Sequence, residues 1–203
     1  MKLNLKDIQK YLFPLKRLFT KYRPIRSVDQ VKNFIQEQSA QVSQMTLYGY
    51  LKTRMGAKHV IMFEDKDFLN SINIAKWHIY AASLIDCTFF CFSFLYKEKK
   101  IEKIEDANKV FFEILNSEKA NGMILDAYEG ATKEFNLRYP NIDWSNYCNS
   151  KPFEYCCNEL YNWSPIADEL KKLDKKIVIN SMFLKWNNVQ NEFKRLTNKF
   201  NNS

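Results

Sequence analysis

Few residues in this chain are equipped for chemistry. Its 203 residues hold two histidines, His59 and His78, and five cysteines, Cys87, Cys91, Cys148, Cys156 and Cys157. The densest grouping is Asp86 with Cys87, Cys91 and His78, all within the apolar run 77–96. On a helix, His78 and Asp86 stand about two turns apart and share a face without touching. A buried aspartate takes up a proton or finds a cation, and Arg54 and Lys76 are the candidate partners. An acid perturbed in a pocket would be a functional group. A polar staple that fixes helix packing is the reading preferred here. Cys87 and Cys91, one turn apart, read as small core residues.

The other constellations have equally plain structural readings. Glu64, Asp65 and Asp67 would suit a hard cation, but also a helix N-terminus, where the macrodipole welcomes acids. Cys156 and Cys157 point different ways on a helix and do not clamp a metal. With no C-x-x-C pair, neither a metal site nor a cofactor is expected. Tyr48, Tyr50 and Arg54 would serve to stack on bases or touch phosphates. Tyrosines with buried rings and surface hydroxyls look the same. The chain lacks G-x-S-x-G, a Gly-rich phosphate loop, H-E-x-x-H and E-x-x-H. No catalytic residue is assigned, and an enzyme is not the expected class.

These residues must be positioned by helices. Apolar residues make up 46% of the chain, and only 4 Gly and 5 Pro occur, too few for the turns of an all-β fold. The expectation is all-α: one helical-bundle domain of about six to seven helices around a central apolar helix. Ser27 with Gln30 forms a capping box that opens a helix over 28–55, with Gly56 as its C-cap. Asp65 or Asp67 caps the next, which runs to about Tyr96. Its length matches a membrane span, but Asp86 at its centre would cost about 2.5–3.5 kcal/mol in a bilayer. It is therefore expected as the bundle's central helix. After a charged loop at 97–103 come helices over 104–116, 120–139 and 153–163, with one short turn within 141–152. Ser164-Pro165 reads as a helix start. The last helix, over 175–200, carries Ile179, Met182, Trp186, Val189, Phe193, Leu196 and Phe200 at steps of three and four, a heptad seam. The seam is expected against the body's own helices, a partner's helix being the alternative.

The charge is unevenly placed. Lys2, Lys6, Lys10, Lys16, Arg17, Lys21, Arg23 and Arg26 face one acid, Asp7, so the first 26 residues carry +7 of the formal +8. The remaining 177 hold 23 basic groups (31 minus 8) and 22 acidic groups (23 minus 1). Ile8, Tyr11, Leu12, Leu15, Leu18, Phe19 and Tyr22 fall at helical spacing in the same stretch, with a kink expected at Pro14. The chain thus divides into a basic amphipathic arm, 1–26, and a nearly neutral helical body, 27–203. Such an arm lies on something negative. Its leucines and its lysine-heavy charge suit an anionic membrane surface. RNA, including a ribosome surface, is the close alternative. An odd number of cysteines and no signal peptide in residues 1–22 point to free thiols in a reducing cytosol.

The runs MTLYGYLKTRMG (45–56), MFED (62–65), NIAKW (73–77) and WSPIADEL (163–170), with NSM at 180–182, resemble a group of small, uncharacterised alphaproteobacterial proteins, some labelled "esterase". The resemblance covers most of the chain from Ser27 onward. It implies a bacterial helical protein and adds a hydrolase as a third functional reading. It supplies no catalytic residues. A Ser or Cys nucleophile would need His59 or His78 as its base. The leading expectation is a cytoplasmic, non-catalytic binding protein, peripheral on the inner face of a membrane, that docks through its arm.

Overall fold

The computed structural model of the chain describes residues 23–56 and 64–200. The expected arm helix with Lys2, Lys6, Lys10, Lys16, Arg17 and Lys21, and the connector with His59, lie outside the described residues. Among the described residues there are six α-helices and no strand: α1 (Val28–Met55), α2 (Lys66–Lys97), α3 (Glu105–Ala120), α4 (Leu125–Arg138), α5 (Glu154–Trp163) and α6 (Asp168–Leu196). Short 3-10 turns fall at Tyr139–Asn141, Tyr147–Asn149 and Thr197–Lys199. The protein is an all-α helical bundle.

Local chemistry sets most of the helix ends. At the start of α1 the Ser27 Oγ accepts the Gln30 amide at 3.4 Å. The Gln30 Oε1 accepts the Arg26 amide at 2.6 Å, so the capping box closes one residue early. Gly56 ends the helix at φ 54°. Asp65 Oδ1 accepts the amides of Asp67 (2.8 Å) and Phe68 (3.2 Å), so this acid caps α2.

Several boundaries differ from the sequence expectation, and α4 starts at Leu125 rather than near 120. α3 runs on to Ala120, and the chain turns at Gly122, whose φ of 96° a glycine holds without strain. Ser164-Pro165 does not start a helix. The Ser164 amide (3.2 Å) and Oγ (2.5 Å) both donate back to the Leu160 carbonyl, which ends α5 instead. α6 then begins at Asp168 rather than near 175.

α2 is the axis of the bundle. It packs against α1, α3, α4 and α5, while α6 lies against α1 and α5. It is long and apolar enough to cross a membrane, yet 89% of its most apolar 18-residue window is buried inside the bundle. Leu84, Ile85, Phe89, Phe90 and Phe92 are all fully enclosed. The α6 seam faces the same core. Trp186 stacks on Phe153 at 4.2 Å and 9°, and Phe193 meets Phe34, Phe90 and Phe94 at 5.0–5.9 Å. Val178 takes the inner place at the start of this seam, with Ile179 half-buried beside it. Before α1, Ile25 is 3% exposed and its amide donates to the Leu196 carbonyl at 3.0 Å.

Candidate functional site

Asp86 lies midway along α2 and is completely enclosed. Its Oδ1 accepts Arg138 Nη2 at 2.9 Å and the Tyr147 hydroxyl at 3.3 Å, and its Oδ2 accepts the Cys156 amide at 2.8 Å. Burial pushes the carboxyl above its ordinary value, while Arg138 and the Cys156 amide pull it back. The candidate partners were misplaced. Arg54 pairs with Asp174 at the far end of α1, where the Tyr50 hydroxyl joins at 3.1 Å. Lys76 sits with Glu118. No local signal ties Asp86 to Arg138, 52 residues on. The cysteines behave as core residues: all five are free and buried.

Lys76 is the second buried charge. It is 2% exposed, and its ammonium lies 4.4 Å from the centroid of the Trp77 ring. Burial pushes its pKa down to about 8, with the nearby Glu118 charge opposing. Glu118 Oε1 also accepts the Tyr80 hydroxyl at 2.9 Å and Gln36 Nε2 at 2.5 Å. An amine near 8 has nucleophilic chemistry, but Lys76 is sealed between helices and lines neither of the two clefts described below. It is a packing charge.

His78 opens onto a cleft of about 330 Å³ between α2, α4 and α5. Its imidazole stacks on Trp163 with centroids 3.5 Å apart and planes 2° apart. Nε2 stands 3.1 Å from Asp126 Oδ2, at ion-pair distance but without hydrogen-bond geometry. Burial pushes His78 below its ordinary value, with Asp126 and Glu159 opposing. The floor is small, Ala81, Ala82, Ala127 and Ala131 all being buried, and the exposed Gly130 stands at the rim. As expected, His78 and Asp86 share one side of α2. Ala81, Ala82 and Ile85 lie between them in the cleft, and Asp86 is sealed behind it. The residues lining the cleft include no Ser, Thr or Cys, so His78 has no nucleophile there to activate. A second cleft of about 340 Å³, between α1 and α6, is lined by mostly polar residues such as Gln38, Gln41, Lys185 and Glu192.

The third feature is a basic end of the bundle. α2 closes in a Schellman motif: the Lys99 amide donates to the Tyr96 carbonyl (2.9 Å) and the Lys100 amide to that of Leu95 (2.8 Å). Lys99 holds φ 54°, a conformation usually given to glycine. Lys100 Nζ then donates to the Thr197 carbonyl at 2.8 Å, joining this loop to the end of α6. Ile25 joins the arm's root to the same place through Leu196. Exposed Arg23, Arg26, Lys97, Lys99, Lys194 and Lys199 therefore lie on segments that meet at one end, with the exposed acids Glu98 and Glu102 in the same loop.

α6 also carries an outer apolar stripe that the buried seam concealed in the sequence. Leu170, Leu173, Ile177 and Leu184 are 44–76% exposed, at steps of three, four and seven. Compared with known proteins, the chain matches no protein-family model, no curated protein and no solved structure.

Proposed function

We propose that this is a non-catalytic docking protein that rests on an anionic membrane face through its basic arm and the basic end of the bundle. One observation carries the reading. The arm's root, the loop after α2 and the end of α6 meet, which puts Arg23, Arg26, Lys97, Lys99, Lys194 and Lys199 on one side. A lysine or arginine near an anionic leaflet contributes about 1 kcal/mol, so a handful acting together suffices for reversible attachment. Strain adds support. Lys99 holds a left-handed backbone conformation at this end, and its side chain is exposed. The protein would act in the cytoplasm, peripheral to the inner face of the membrane.

Flotation tests this. Wild-type protein should float with vesicles containing phosphatidylserine and not with phosphatidylcholine alone. A chain beginning at Arg23, which keeps the Ile25 contact, should lose most of that binding. The quadruple variant Lys97→Gln, Lys99→Gln, Lys194→Gln, Lys199→Gln should lose part of it. Equal flotation of all three proteins defeats the proposal. Steeply salt-dependent binding to ribosomes in place of flotation would put RNA where the membrane stands.

A further inference from the structure

We propose that the His78–Trp163 cleft binds a small organic cation, a primary ammonium carried on an aromatic body. Three of the charged groups that line it are carboxylates, Asp126, Glu134 and Glu159, against one ammonium, Lys133. The two deeper carboxylates are prepared differently. Glu159 is held in place, its oxygens accepting Asn162 Nδ2 at 2.9 Å and Trp163 Nε1 at 2.8 Å. Glu134 is half-buried and makes no hydrogen bond or ion pair among the described residues. Arg138, whose pKa its charge raises, bonds Asp86 through Nη2, while Nη1 makes no hydrogen bond. A half-buried carboxylate without a partner is costly, and an ammonium in the cleft removes that cost.

The shape supplies the rest. Tyr155 and Trp163 line the cleft, the Arg138 guanidinium lying 4.9 Å from the Tyr155 ring and the His78 imidazole stacked on Trp163, and the alanines leave the space between α2 and α4 unfilled. A Cβ added at Gly130 would meet nothing within 4 Å. A cleft of about 330 Å³ lies at the lower end of small-molecule sites and suits about ten heavy atoms. The apolar walls take a flat ring, and the carboxylates take its charged end. An anion would meet three like charges. Burial pushes the His78 imidazole below its ordinary value, which disfavours a further positive charge in the site.

Calorimetry on the full chain, with three probes of one size, tests this. Tyramine should bind saturably with one site. Its neutral isostere 4-propylphenol should bind about tenfold more weakly, and the anion 4-hydroxyphenylacetate should give no heat. Glu134→Gln should weaken tyramine by about tenfold. Gly130→Met should remove binding without lowering the melting temperature, since it reaches over the cleft from its rim on α4. The proposal fails if tyramine shows no saturable binding, or if the anion binds as well. It also fails if a folded Gly130→Met protein, or Glu134→Gln should the first not fold, binds tyramine as the wild type does.

Discussion

Asp86 and Cys156 are joined across two helices: the aspartate's Oδ2 accepts the Cys156 amide at 2.8 Å. Cys156 lies in the first turn of α5, where amides have no partner within the helix. The residue before that helix, Phe153, offers no side-chain cap. Asp86 therefore caps α5 from the middle of α2, while its other oxygen holds Arg138 from the end of α4. One carboxylate fixes the meeting of three helices, which explains a charge at the centre of an apolar core.

Removing that carboxylate should be severe. Asp86→Leu strands the Arg138 guanidinium and the Cys156 amide, and should cost about 3–5 kcal/mol in urea unfolding. Adding Arg138→Met should recover part of this loss, because the stranded charge goes with it. If the double variant is the less stable of the two, Asp86 does not act chiefly as Arg138's counter-ion.

Lys76 should give the protein an alkaline signature. Its folded pKa is lowered to about 8, against about 10.4 for an unfolded lysine. Between these values the unfolded chain holds the extra proton, so stability contributed by this site rises with pH. Its cost is full below pH 8 and fades towards pH 10.4. Unfolding measured from pH 7.5 to 10.5 should show the wild type gaining on Lys76→Met across that window. Parallel curves would mean that Lys76 keeps an ordinary value.

Lys99→Gly separates stability from docking. Glycine accepts φ 54° without a Cβ clash, so the melting temperature should rise, by a gain of about 1 kcal/mol. Retention on anionic vesicles should fall, because one exposed charge is gone. A structural role alone would leave retention unchanged.

Two glycines should respond in opposite directions. Gly122→Ala forces a Cβ into the turn at φ 96° and should lose about 1 kcal/mol or more. Gly130→Ala, in the interior of α4 with open space at its Cβ, should gain about 0.5–1 kcal/mol. Thermal melts of the two variants check both signs.

The parts legible in the sequence are those governed by neighbours. Ser27 with Gln30, Gly56 and Asp65 act within four residues of themselves, and each marks a real helix end. The run 77–96 announces the central helix, because a helix apolar all round has to be enclosed. Ser164-Pro165 misleads because its hydroxyl has two competing uses, capping forward or bonding back to Leu160. The site is harder to read. Asp86 signals a need for a cation but not which one, since Arg54, Lys76 and Arg138 differ only in where the bundle carries them. Trp163 and Asp126 join His78 from helices far along the chain, and no periodicity in the sequence expresses that meeting.

The bond between the Ile25 amide and the Leu196 carbonyl has a bearing on biosynthesis. It joins positions 171 apart in the chain, 25 and 196. A ribosome delivers Leu196 long after Ile25, so the Ile25 amide lacks this acceptor until α6 has emerged. The basic end of the bundle, unlike the arm itself, is therefore assembled only after α6 has folded against the root of the arm.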